Sequence, residues 1–400
     1  MEKDKLEPKL RFPGFTEPWE HRKLGDEAHI IMGQSPDGST YSKEPSDYIL
    51  IQGNADLING WVVPRTWTTQ ITKLAEPGDL IMSVRAPAGE MGKTLYKAVI
   101  GRGVAAIKGN EFLYQLLTKM NVEGYWKRLA AGSTFESLNS KDINNSRIAV
   151  PPETEQEQIG RLFSTIDKTI ALHQRKEEEL QKLKKGLLQK MFPKDGESVP
   201  EVRFPNFTNT WEQRELTCLI RLERGLTYKP EDIREDGIRV LRSSNIVGDS
   251  FILAYDDVFV DPRVVNIPFS EDGDILITAA NGSSKLVGKH ALIKGVKPET
   301  TVPGGFMFVG KTEYPDFVNA LLSAPWYSRF IAKSTAGGNG AIGNLNKNSL
   351  MKTLIFKPSL SEMDCIGYMF SMIDSLITLH HRKTEELKKL KKALLQQMFV

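Results

Sequence analysis

The chain has 400 residues, 26% charged and 40% hydrophobic, a length that exceeds one ordinary core and predicts two domains. Its formal net charge of only +3 excludes a broadly basic nucleic-acid coat, so any such affinity has to come from local patches or from a partner. Cys218 and Cys365 stand alone, the polar start MEKDKLEPKL is no signal peptide, and no apolar run approaches ~18 residues; a reduced, cytoplasmic setting is expected.

In chain order, LRFPGFTEPWEHRKL occupies residues 10–24. Strand-like segments follow at 47–57, 78–86 and 146–152, separated by Gly, Pro and Asn, with a helical stretch at 111–130. The run Pro87-Ala88-Gly89-Glu90-Met91-Gly92-Lys93-Thr94 imitates a phosphate-binding loop. Proline stands where that loop needs its first glycine, so nucleotide binding is not expected. Pro151-Pro152 then break the chain before a long periodic segment.

That segment steps by alternating four and three residues through Ile159, Phe163, Ile166, Ile170, His173, Glu177, Leu180, Lys184, Leu187 and Met191. This is a heptad seam, apolar at its ends and polar around its middle. Leu183 is expected to thicken the stripe where Lys184 interrupts it. After Pro193, the 202–216 segment VRFPNFTNTWEQREL repeats the opening one. Strands are expected at 237–247, 273–280, 306–310 and 352–358, and a helix at 314–333. Gly338-Asn339-Gly340-Ala341-Ile342-Gly343 has the letters of a dinucleotide motif but opens no helix, and reads as a flexible loop.

After Pro358 the seam returns as Ile366, Phe370, Ile373, Ile377, His380, Thr384, Leu387, Lys391, Leu394 and Met398, with Leu390 beside Lys391. Residues 159–192 and 366–399 are identical at 23 of 34 positions, at a constant offset of 207. A helix of 35–40 residues is ~50–60 Å long and cannot be buried within one compact domain. The two matching stripes are therefore expected to pack on each other, antiparallel. The chain divides into an α+β domain at 1–150, a long helix at 151–192, a second α+β domain at 193–357 and a second long helix at 358–400. The frames repeat and the inserts diverge, which suits a protein that docks the same way twice but reads two different things. His173 and His380 fall at matching seam positions, where a polar contact sets register. None of the six histidines has metal-ligand spacing, and no metal site, nucleophile elbow or adenine-methyltransferase motif is present in the sequence.

This organisation resembles the DNA-specificity subunit of type I restriction-modification enzymes. The resemblance is carried by the two Arg-Phe-Pro-x-Phe…Trp-Glu frames (Arg11–Glu20 and Arg203–Glu212) and by Pro151-Pro152-Glu153-Thr154-Glu155-Gln156. The Gly-Asp-Leu/Ile strand starts at Gly78 and Gly273, the Ser/Asn-Leu-Asn loops at Ser137 and Asn344, and the closing Leu-Leu-Gln-x-Met-Phe complete it. It covers essentially the whole chain. The second helix departs from the pattern, opening on Pro358-Ser359-Leu360-Ser361-Glu362-Met363.

The resemblance implies two target-recognition domains in pseudo-two-fold arrangement, joined by an antiparallel coiled coil that acts as a spacer and methylase-docking surface. It implies no catalysis in this chain and no cofactor bound by it. Two copies of a methylase subunit, which binds S-adenosylmethionine, would dock, and restriction or translocase subunits would join. Each domain would read one half of a split, asymmetric double-stranded DNA target. Half-sites on one face of the duplex lie about 34 Å apart, a separation that a helix pair can hold.

Base reading needs bidentate groups, and phosphate positioning needs Lys, Arg, Ser or Thr. The candidates in the first domain are Gln34, Ser35, Gln52, Asn54, Arg65, Arg85, Lys93, Ser133 and Thr134. In the second they are Thr227, Tyr228, Lys229, Arg242, Ser244, Asn245, Asn281, Ser283, Lys285, Asn339 and Asn344. Asn54 with Arg85, and Arg242 with Asn281, are the preferred base-reading pairs. The competing readings are a stand-alone pseudo-dimeric DNA-binding regulator and a coiled-coil interaction scaffold.

Overall fold

The computed structural model describes residues 6–131, 136–335 and 343–400. Two compact units emerge, one formed by Met1–Leu172 with Lys383–Val400, the other by His173–Arg382. They cut across the four-segment division read from the sequence, because each long helix contributes to both units. The helices run Glu153–Lys190 and Leu360–Met398 without a break.

In the first unit, a six-stranded sheet has the order His29–Met32, Val104–Lys108, Leu80–Ser83, Met91–Lys93, Trp61–Val62 and Leu57–Ile58. A five-stranded sheet has the order Tyr41–Ser42, Trp67–Thr68, Tyr48–Ile51, Ala98–Ile100 and Leu74–Ala75. Successive strand residues point to opposite faces. Accordingly Ile81, Val104 and Ala106 pack with Ile51 and Ile100, while Leu80, Met82, Ala105 and Ile107 pack on the opposite face against Phe112, Leu117 and Trp126. Both faces being buried explains why these strands read as apolar runs rather than as alternating ones.

The second unit repeats the plan with different residues. One four-stranded sheet has the order Arg221–Arg224, Met307–Lys311, Ile275–Thr278 and His290–Leu292. The other has the order Ile233–Arg234, Val258–Val260, Ile238–Leu241 and Thr301–Pro303. A two-strand ribbon accompanies each unit, Glu20–Lys23 on Arg147–Val150 and Glu212–Glu215 on Leu354–Lys357.

Two helices predicted as single elements are broken. The 111–130 stretch forms Glu111–Val122 and Tyr125–Ala130, because Gly124 takes the left-handed conformation at φ 74°. The 314–333 stretch forms Pro315–Ser323 and Pro325–Thr335; Ala324 is extended, as a residue before proline prefers. Most of the glycine-rich loop, residues 338–342, lies outside the described residues.

The long helices pair antiparallel within each unit. In the first, Asp167 meets Lys391 at 2.6 Å and Phe163 packs against Phe399. In the second, Asp374 meets Lys184 at 2.7 Å and Phe370 packs against Phe192. The rising numbers on one helix thus face falling numbers on the other. Ile159, Phe163, Ile166, Ile366, Phe370 and Ile373 are buried, and Ile170, Leu180, Leu187, Ile377, Leu387 and Leu394 are half-buried. His173 and His380 face each other, Nδ1 to Nδ1 at 2.8 Å. The expectation that Leu183 and Leu390 thicken the stripe is corrected. They are 51% and 49% exposed, whereas Lys184 is only 6% exposed. The ion pairs with Asp374 and Asp249 hold Lys184 inward, so the leucine beside it faces outward.

Candidate nucleic-acid interface

Each unit is closed by one ion pair built from the repeated motifs. Arg11 donates to both carboxylate oxygens of Glu155 at 2.7 and 2.8 Å, and Arg203 does the same to Glu362 at 2.6 and 2.7 Å. The carboxylate holds each guanidinium pKa above its ordinary value. Glu155 belongs to the Pro-Pro-x-x-Glu-Gln run, and Glu362 fills its place in the divergent second copy. The departure from the motif therefore leaves the pairing residue intact.

The polar candidates of the first unit gather around the turn between strands Ala98–Ile100 and Val104–Lys108. The Gly33 N–H donates to the Val104 carbonyl, and Gln34 N–H to Ile100. A β-carbon at Gly33 would fall 2.1 Å from the Gly101 carbonyl oxygen, so only glycine allows this crossing. The Ser35 hydroxyl accepts the Arg102 N–H at 3.2 Å. On the other side, a β-carbon at Gly103 would lie 2.0 Å from the Gln52 carbonyl oxygen. Val84 donates to the Gly103 carbonyl, which sets Arg85 beside the same turn. Asn54 opens the short helix Asn54–Asp56, tied down by Asp56 accepting from the Gln52 N–H. Gln34, Gln52 and Arg85 are exposed. Arg65 is exposed as well, with one guanidinium nitrogen on the Ala55 carbonyl at 2.9 Å.

Lys93 does not belong to this cluster. Its ammonium sits on Glu111 at 2.9 Å and within 4.8 and 4.4 Å of the Trp61 and Tyr114 ring centres. Those neighbours engage its charge within the unit. Ser133 and Thr134 lie outside the described residues.

In the second unit Thr227, Tyr228, Arg242 and Asn281 line one open cavity of about 720 Å³, together with Leu226, Ile233, Phe306 and Met307. Asn281 Nδ2 donates to Ser243 Oγ at 3.1 Å, and Arg242 Nη2 to the Asp256 carbonyl at 3.2 Å. Arg242 Nε is shielded from solvent with no hydrogen-bond partner. Asn344 is exposed and pairs through its strand with Ala280, at the edge of this cavity. Lys229, Ser244, Ser283 and Lys285 are exposed. The Lys229 N–H donates to Asp232, and Ser283 N–H to Asn281 Oδ1. Asn339 lies outside the described residues.

Asn245 is corrected. It is fully buried, accepts from the Arg242 N–H at 2.7 Å, and donates to Ile252 O and Asp257 Oδ1. It shapes a turn, as Asp56 does in the first unit, and has no group left to offer a ligand. Two residues that sequence reading missed sit at the centre of the clusters, Arg102 and Phe306. The available signal was glycine beside a lone large side chain, Gly101-Arg102-Gly103 and Gly304-Gly305-Phe306.

Among the described residues, no cluster of three or more His, Cys, Asp or Glu side chains could hold a metal ion, and no helix is long and apolar enough to cross a membrane. Residues 16–182 match the family described as type I restriction modification DNA specificity domain. The likeness to this DNA specificity domain runs over 167 of the 400 residues. Over 182 residues it is 34% identical to a putative type I restriction enzyme MjaX specificity subunit of Methanocaldococcus jannaschii. That alignment covers 43% of this chain and 42% of the relative, so the match spans less than half of the relative's length. A second protein of that organism, the type I restriction enzyme MjaVIII specificity subunit, is 23% identical over 96% of this chain and 92% of its own. The crystal structure of a type I restriction-modification S subunit from M. genitalium has the same fold as this chain, with a TM-score of 0.69 at 15% identity over 98% of this chain and 99% of that one.

Proposed function

We propose that this chain is a specificity subunit that reads double-stranded DNA, each unit taking one half of a bipartite, asymmetric target, and that it does no catalysis itself. The observation that carries this reading is a duplicated frame around unlike clusters. Arg11–Glu155 and Arg203–Glu362, and Asp167–Lys391 and Asp374–Lys184, repeat residue for residue. The polar residues around the two turns do not. A repeated frame presents the same docking surface twice and so suits two copies of one methylase subunit. Unlike clusters suit two different half-targets. The long helices would serve as spacer and docking surface. S-adenosylmethionine would be bound by the methylase, which would flip the target adenine into its own pocket. Restriction or translocase subunits would complete a cytoplasmic complex.

Methylation mapping of DNA from cells expressing this chain, with and without a candidate methylase subunit, tests the reading. A split, non-palindromic methylated motif is expected only when both are present. A motif made by the methylase alone would sink it.

A further inference from the structure

The two clusters are organised around the same four-residue turn. Gly101-Arg102-Gly103-Val104 is closed by the Val104 N–H on the Gly101 carbonyl at 3.1 Å, and Gly304-Gly305-Phe306-Met307 by Met307 on Gly304 at 2.8 Å. Both turns are held alike from outside. Gly33 and Gly225 donate to Val104 and Met307, and Gly101 and Gly304 donate to Ile51 and Leu241. The backbones match, but the side chains have changed places.

In the first turn the large residue comes second and glycine third. Gly103 lies so close to the Gln52 carbonyl that no β-carbon fits, and Arg102 projects outward. No ion pair or hydrogen bond engages its guanidinium among the described residues. In the second turn glycine comes second. Gly305 backs onto the Thr227 hydroxyl, and Phe306 stands 68% exposed at the mouth of the cavity. Its own carbonyl accepts from Ala279 and Ala280, so its backbone is fixed. Neither side chain helps to hold its unit together, and each is presented from a turn pinned on both sides. A contact that must discriminate between bases needs this kind of fixed support.

We propose that this turn is the base-reading tip of each unit, and that its one unlike side chain makes the two half-targets differ. Arg102 selects a guanine through paired donation to O6 and N7, and Phe306 selects a thymine through contact with its C5 methyl group. This rests on the DNA-reading function proposed above.

The test is equilibrium binding of the full chain, assembled with the candidate methylase subunit, at fixed salt to libraries randomised in one half-target at a time. R102A is expected to lower one guanine preference about tenfold or more and to leave the other half unchanged. Replacing that guanine by 7-deazaguanine should cost wild type a similar factor and cost R102A nothing further. R102K keeps the charge and should still lose the preference. F306A should lower one thymine preference in the other half, and thymine-to-uracil replacement should be felt by wild type but not by F306A. Both side chains are exposed, so unchanged melting curves will confirm that the variants fold.

Uniform weakening by R102A with rescue by R102K would make Arg102 a phosphate anchor and overturn its assignment. Insensitivity to uracil, with 2-aminopurine fluorescence that rises for wild type but not for F306A, would make Phe306 a wedge and overturn its own. Selective wild-type binding with unaltered variant profiles would end the tip assignment alone. A wild-type assembly that binds all sequences alike, or none, would end the DNA-reading function as well.

Discussion

Single residues in this chain divide by whether their polar atoms are already engaged. Lys93 and Arg85 read alike in sequence, as cations near strand ends. Lys93 is held by Glu111 and two rings, whereas Arg85 is exposed next to the first unit's turn. Lys93→Met is therefore expected to cost about 1–2 kcal/mol of stability in urea unfolding and to leave the salt dependence of DNA binding unchanged. Arg85→Ala should do the reverse, weakening cognate binding by ~1–3 kcal/mol at fixed salt with an unchanged melting curve. His290 yields a pH dependence. Its Nε2 lies 3.2 Å from Ser323 Oγ and its ring stands edge-on to Tyr327. Burial pushes its pKa below the ordinary value, although Asp249 works in the opposite sense. The unfolded chain therefore takes up this proton first as pH falls. The contribution to stability is present above the ordinary histidine pKa and is lost below it. Thermal unfolding of the second unit should shift downward between about pH 7 and pH 5.5, and His290→Gln should flatten that shift.

At the scale of the element, the helix seam shows how a polar residue can displace an apolar one from a core position. Lys184 sits at the heptad position and lies against Asp374, with Asp249 close by. Burial opposes its charge, but the two carboxylates outweigh that and hold its pKa above the ordinary lysine value. Leu183 is left facing solvent. The usual ranking of these substitutions is thus inverted. Lys184→Ala should cost about 2 kcal/mol, because Asp374 then stays partly buried without its partner. Leu183→Ala should fall within about 0.5 kcal/mol of wild type. Chemical denaturation of the two variants checks the order, and a larger loss from the leucine would refute the seam. The equivalent Asp167–Lys391 pair makes the same device available to the first unit.

For the whole molecule, the consequence of duplication is that the first unit borrows its closure from distant sequence, Lys383–Val400. Met398 and Phe399 lie in the first unit's core. The Phe399 ring stacks on Phe112 at 5.2 Å and stands edge-on to Trp19 at 6.2 Å. Phe192 does the same work in the second unit, against Trp211, Phe317 and Phe370. Phe399→Ala should therefore destabilise the first unit by about 3–5 kcal/mol despite its distance in sequence. Calorimetry or hydrogen exchange resolved by peptide should place the lost protection among residues 6–172, with residues 193–358 little changed. Loss confined to the second unit would contradict this division.

The sequence by itself determined the duplication, the two long helices and their seam, because heptad spacing and a 207-residue repeat are local or self-similar patterns that need no coordinates. It also marked most of the polar clusters, since Gln34, Ser35, Thr227, Arg242 and Asn281 stand at strand ends, where chains turn. The tertiary structure alone decided which polar groups are spent. Asn245 is consumed by a local turn through Arg242, Ile252 and Asp257, and Lys93 by Glu111 and two rings, contacts that no periodicity announces, whereas Arg102 and Phe306 are left over at a crossing of two glycine backbones. Whether a donor is free depends on what folds against it, and that is a property of packing in three dimensions, not of residue type or spacing.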